Sequence, residues 1–181
     1  FIFSKIQNQN LYNYKIREKV NFINSEEQLK LTLQNPDLDL PLFIFTFIVD
    51  RGVTHEIVRH RTLSISQEST RYVKYNKKEI EFINELPKEY SSELTNIADF
   101  SVWTFMLEKI EQTYNALMTN WSAQYSRSIL PNALASKIVV SGRLSSWTNF
   151  VRLRSSQQSH PQIRLVSDFV GNTLTNLGFK L

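Results

Sequence analysis

Residues 59–72 read Arg-His-Arg-Thr-Leu-Ser-Ile-Ser-Gln-Glu-Ser-Thr-Arg-Tyr. Arg59, His60 and Arg61 stand side by side. The hydroxyls of Thr62, Ser64, Ser66 and Ser69 and the polar ends of Gln67 and Glu68 follow, and Arg71 and Tyr72 close the run. So many donors with so little bulk suit an anionic, planar, hydrogen-bonding ligand. Guanidinium forks pair with phosphate, and hydroxyls and backbone N–H groups complete a cradle. Taken alone, Arg59 to Arg61 read equally well as a solvated basic helix end, where cations favour the C-terminal dipole.

Other chemistries are less well served. His55-Glu56-Ile57-Val58-Arg59 nearly spells a zinc-protease helix, but the next histidine, His60, comes five residues after the first. A helix turning roughly 100° per residue places it about 140° away, so one zinc could not take both. The sequence therefore predicts no metal site. Cysteine is absent, which removes disulfides, thiolate metal sites and thiol nucleophiles together. The glycines stand at 52, 142, 171 and 178, so neither a dinucleotide-binding turn nor a P-loop can form. Ser69 has no base beside it in sequence and reads as a hydrogen-bond donor rather than a nucleophile.

The elements that would position these residues follow from periodicity. Leu42 to Val49 is a continuous apolar run that suits a strand buried on both faces. Gly52 permits a turn, and Val53 to Arg59 reads as a short helix with Thr54 as its cap. Phe1 to Ile6 predicts an edge strand and Gln7 to Asn13 a loop. Ser25 to Gln34 predicts a helix opened by a capping box of Ser25 and Gln28, with Leu29 and Leu33 on one face. Glu79 to Ile83 alternates as a strand. Ser91 to Tyr125 is the longest helical pattern, with Leu94, Ile97, Ala98, Val102, Phe105, Met106, Ile110, Tyr114, Leu117 and Trp121 at three- and four-residue spacing. Ala135 to Val140 suits a strand ending at Gly142. Leu144 to Arg154 and His160 to Leu177 predict two more helices, the latter capped by Ser159 and closed by Gly178.

The chain has 181 residues, 41% of them hydrophobic and 21% charged, with a formal charge of +4. That predicts one domain over residues 1–181 with a single core. The pI of about 9.3 favours phosphorylated ligands without by itself implying nucleic acid. No apolar run approaches the ~18 residues of a membrane span. The absence of a secretory pattern at Phe1 leads to the expectation of a cytoplasmic protein.

Arg-His-Arg, seven residues, then Ser69 followed by Arg71-Tyr72 resembles the signature of the flavin-dependent thymidylate synthases. Three further segments carry the resemblance. Ser126-Arg127-Ser128-Ile129-Leu130-Pro131 is similar to the family's Ala-Arg-x-x-Leu-Pro run. Ser141 to Arg154 is similar to its carboxy-terminal flavin segment, matching at Asn149-Phe150 and Leu153-Arg154. Ser159 to Arg164 is similar to its closing His-x-Gln segment. The sequence departs from the pattern at Arg143, where the family has Asn, and at Ser145, where it has Arg. A His/Glu-containing segment expected before Phe45-Thr46-Phe47 is replaced by Pro36-Asp37-Leu38-Asp39-Leu40-Pro41.

The resemblance implies an α/β fold of the α+β type, a twisted, mainly antiparallel sheet with packed helices, assembled as a homotetramer whose sites are shared between subunits. It implies methylation of dUMP to dTMP, with methylenetetrahydrofolate as one-carbon donor and FAD reduced by NADPH. Glu56, Gln67, Glu68, Ser69, Thr70, Arg71, Arg127 and Arg154 would contact dUMP. Arg59, His60, Arg61, Arg143 and Asn149 would contact FAD. Arg154 would be the catalytic residue, stabilising charge on the uracil ring. His160 reads as structural. Two alternatives stay open: a flavin- or nucleotide-binding homologue without turnover, suggested by the departures, and a basic nucleic-acid-binding module, although no known nucleic-acid motif is present.

Overall fold

The computed structural model describes residues 21–22, 26–39, 42–75, 80–83 and 97–181. The expected strand Phe1 to Ile6, the loop Gln7 to Asn13, the cap Ser25 and the start of the long helix before Ile97 lie outside them. The chain divides into two compact units. One joins Ile16–Glu68 to Ser136–Leu181, and the other joins Phe1–Lys15 to Ser69–Ala135.

The first unit is built on a four-stranded sheet of order β1-β2-β4-β3, with β1 at Asn21–Phe22, β2 at Leu42–Asp50, β3 at Ser64–Gln67 and β4 at Ala135–Arg143. The β1–β2 and β3–β4 pairings are antiparallel. β2 is the predicted apolar strand, but its two faces differ. Phe43, Phe45, Phe47 and Val49 are buried, while Leu42, Ile44, Thr46 and Ile48 are only partly covered. The buried face meets helix α5, Leu144–Arg154, and helix α6, Pro161–Asn176. Phe45 packs edge-on against Trp147 at 4.7 Å between ring centres and against Phe169 at 6.1 Å. Trp147 also donates its indole N–H to the Phe43 carbonyl, so the largest core side chain leaves no polar atom stranded.

β3 is a strand that the polar sequence Ser64-Ile65-Ser66-Gln67 gives little reason to expect. Its register, with Ile65 opposite Val140 and Ser66 opposite Val139, is imposed by pairing with β4, so tertiary pairing overrides weak local preference. Helix α1 runs from Glu26 to Gln34. Among its described side chains Thr32 is buried, whereas Leu31 and Leu33 are exposed.

Helix α2 spans Arg51–Ile57, two residues earlier than Val53. The cap is Asp50, whose carboxylate accepts the Val53 N–H at 2.7 Å. Gly52 therefore lies within the helix and makes no turn, and Thr54 is a buried interior residue whose hydroxyl donates to the Arg51 carbonyl. A stronger cap one residue after the apolar run outcompetes Thr54. At α6 the cap is His160, not Ser159: His160 Nδ1 accepts the Gln162 N–H, with Pro161 in the first turn. The helix ends as expected at Gly178, whose φ of 95° favours glycine.

In the second unit, helix α3 spans Ile97–Leu117 and a separate short helix α4 spans Ala123–Ser126, so the long pattern is broken by a turn over residues 118–122. Thr104, Leu107 and Tyr114 face inward. Val102, Phe105 and Met106 are exposed on this chain because α3 carries apolar residues on more than one face, and Trp121 is exposed in the turn that follows. Glu79 is not among the described residues, and Phe82 makes an isolated bridge to Leu134 in place of a full strand. Tyr75, Ile80, Tyr114 and Leu134 form the core of this unit.

Candidate active site

In the sheet-bearing unit the decisive cluster is Arg154, Glu56 and His60. Arg154 ends α5, Glu56 sits in the last turn of α2, and His60 follows that helix. The Arg154 guanidinium donates from Nε to His60 Nε2 at 2.9 Å, from Nη1 to Glu56 Oε2 at 2.8 Å, and from Nη2 to the Glu56 carbonyl at 3.3 Å. All three nitrogens are thus fixed, and the side chain remains 22% exposed. His60 is only 7% exposed and its ring lies edge-on to Phe150 at 4.8 Å. Burial, and then the Arg154 charge, hold the His60 pKa below its ordinary 6.5, since both disfavour the imidazolium.

The neighbouring residues of the signature divide into two groups. Arg59 and Arg61 are exposed on the turns after α2. Gln67 is turned inward, its amide donating to Thr54 Oγ1 at 2.9 Å and Ser136 Oγ at 3.1 Å, which ties β3 to α2 and β4. Glu68 is exposed while its N–H extends the ladder to the Lys137 carbonyl. Asn149 accepts from Arg152 Nη2 at 2.9 Å.

Arg143 and Ser145, the two departures, converge on a third. Asp39 accepts Arg143 Nη1 on its carbonyl at 2.8 Å, and its carboxylate takes the Ser145 N–H at 3.0 Å and the Ser145 hydroxyl at 2.6 Å. Asp39 thereby caps the first turn of α5 from a distant segment. It was not legible as a site residue, since no local pattern links it to a helix start 105 positions later.

In the other unit, Ser69 opens a turn: its backbone carbonyl accepts the Tyr72 and Val73 N–H groups and its hydroxyl accepts the Arg71 N–H. Thr70 is buried, and Ser69 and Arg71 are exposed. Arg71 clasps Gln124 Oε1 through Nε at 3.1 Å and Nη2 at 2.9 Å. Gln124 lies on α4, three residues before Arg127, so one contact brings the exposed Arg71 to the segment that carries the exposed Arg127. Gln124 is a further member of this cluster that sequence reasoning missed.

Residues 38–176 match the family model described as thymidylate synthase complementing protein. The chain belongs to the flavin-dependent thymidylate synthase family. A flavin-dependent thymidylate synthase of Corynebacterium efficiens is 40% identical over 128 residues, covering 66% of this chain and 51% of the relative. One from Mycobacterium tuberculosis is 34% identical over 125 residues, covering 64% and 50%. The chain thus spans about half the length of the curated relatives it matches. A crystal structure of the flavin-dependent thymidylate synthase of Helicobacter pylori, complexed with FAD and dUMP, superposes with a TM-score of 0.58 at 19% identity, over 80% of this chain and 76% of that one. That likeness confirms the family's fold of helices with an antiparallel sheet. Among the described residues no helix is long and apolar enough to cross a membrane.

Proposed function

We propose that this chain binds dUMP and FAD and converts dUMP to dTMP, with methylenetetrahydrofolate as one-carbon donor and NADPH as reductant, working as a homotetramer. Family membership supports the reaction class, and the observation that carries the reading is the immobilised guanidinium of Arg154. A partly exposed cation held by three bonds is preorganised to stabilise negative charge that develops on a pyrimidine carbonyl, without reorganising at the moment of reaction. Glu56 fixes that cation from the α2 side.

The phosphate of dUMP would be taken by Arg71 and Arg127, with the Ser69 hydroxyl as an additional donor. Gln67 and Thr70 would shape the loop from beneath, and Glu68 would stand at its rim. The residue set also fits an anionic cofactor, because Arg59, Arg61 and Arg143 are exposed cations, the last of them anchored to the Asp39 carbonyl. Those residues and Asn149 would hold FAD, whose flavin supplies the redox chemistry when bound. The protein's own part is to bind, to orient and to place positive charge.

The test is direct. Purified protein reconstituted with FAD and NADPH should form dTMP from dUMP and methylenetetrahydrofolate, and Arg154→Gln should abolish it. Flavin and dUMP binding without any dTMP would instead favour a homologue that binds its ligands and does not turn over.

A further inference from the structure

We infer that His60 is a positioning residue for Arg154, acting as a neutral imidazole with its proton on Nδ1. The inference rests on the reading of Arg154 as a dUMP-binding residue. Arg154 Nε is always a donor, so the His60 Nε2 it meets at 2.9 Å must present a lone pair. That fixes both the tautomer and the charge of the ring. Its burial and its edge contact with Phe150 hold the imidazole plane, and so hold the direction along which Arg154 Nε is drawn.

The ring of His60 is buried and bonded to the guanidinium. Its effect reaches the ligand through Arg154. Glu56 fixes the far end of the same guanidinium, so the two residues act as the two jaws of one clamp, 98 and 94 positions from Arg154 in sequence. The clamp has a built-in sensitivity to acid. Protonating His60 places an N–H against an N–H and a second cation beside Arg154. The charge that bears on the ring is Arg154 from α5, with Arg59 and Arg61 next to it in the chain, and Glu56 from α2 is engaged by that same guanidinium.

The experiment measures dUMP affinity of the full chain by calorimetry at pH 8 and pH 5.5, for wild type, His60→Gln, Glu56→Gln and Arg154→Gln. The dUMP phosphate itself titrates near ~6. It contributes equally to every protein, so the readout is the difference between variants. Arg154→Gln should bind on the order of 10–100-fold more weakly at pH 8. His60→Gln should lose several-fold at pH 8 and show a smaller further loss on acidification than wild type. Nitrogen NMR of the wild-type histidines supplies a measurement that needs no variant to fold. The His60 ring should report a protonated Nδ1 and an accepting Nε2 at pH 8. A His60→Gln protein that matches wild type at both pH values while Arg154→Gln is impaired would overturn the positioning role alone. So would an Nε2-protonated ring. Unimpaired dUMP binding by Arg154→Gln would overturn the substrate reading, and the positioning role with it.

Discussion

Arg154 has five N–H donors, and Glu56 and His60 engage each of its three nitrogens. A lysine keeps the charge but has no fork with which to span two partners. Arg154→Lys should therefore retain the fold and lose roughly 10–100-fold in dUMP affinity, measured by calorimetry against an unchanged thermal midpoint. The same cluster sets a pH dependence of stability. The folded His60 pKa lies below 6.5, chiefly through burial and then through Arg154. The stability contributed by neutral His60 is fully present above about 6.5 and is lost as pH falls through the depressed folded value. In urea titrations, wild type should weaken relative to His60→Gln between pH 7.5 and pH 5. A constant difference between the two proteins would disprove the assignment. Asp50 has the opposite sign. Burial raises its pKa, partly offset by bonds to Val53, Gln162 and the Gly52 backbone and by the charge of His160, so its ionisation costs stability that is restored as pH falls.

Asp50 also shows how a single residue governs an element. Asp50→Asn keeps an oxygen for the Val53 N–H and removes the buried charge, whereas Asp50→Ala removes the cap of α2. The alanine variant should be less stable by about 1 kcal/mol, and the asparagine variant should gain on wild type as pH rises, both read from denaturant midpoints. At β4, a Cβ added to Gly142 would collide with Leu63 Cδ2 and lie 3.4 Å from Trp147 Nε1. Gly142→Ala should cost about 1–3 kcal/mol through overpacking, and Leu63→Ala in the same chain should recover part of it. Elements with a strong internal signal were legible in the sequence: α5 was bounded correctly at both ends, and β2 and α6 nearly so. Where two caps compete within a few residues, as with Asp50 against Thr54 and His160 against Ser159, the cap is the side chain that accepts a first-turn N–H, and composition does not rank the two candidates. β3 was invisible because its strand character comes from β4 rather than from its own polar residues.

At the scale of the whole molecule, motif spacing located Arg71, Arg127 and Arg154, but not what holds them. Asp39 reaches Ser145 across 106 positions, Glu56 reaches Arg154 across 98, and Gln124 reaches Arg71 across 53. Periodicity is a local signal, and no run of residues records which distant side chain will complete a cap or a clamp. Charge is the one global quantity the sequence does state. A net charge of +4 attracts a nucleotide and a polynucleotide alike, and salt separates them. A mononucleotide offers one phosphate, so its affinity should fall only a few-fold between ~50 and ~200 mM salt. A nucleic-acid module making 6–10 phosphate contacts would lose about 10³–10⁵ over that range. Anisotropy titrations of a labelled single-stranded oligonucleotide, set beside calorimetry with dUMP, measure both slopes. The shallow dUMP slope is expected, with oligonucleotide binding weak and competed away by dUMP. Tight oligonucleotide binding that collapses with salt and ignores dUMP would mean that the exposed arginines serve a strand and not a nucleotide.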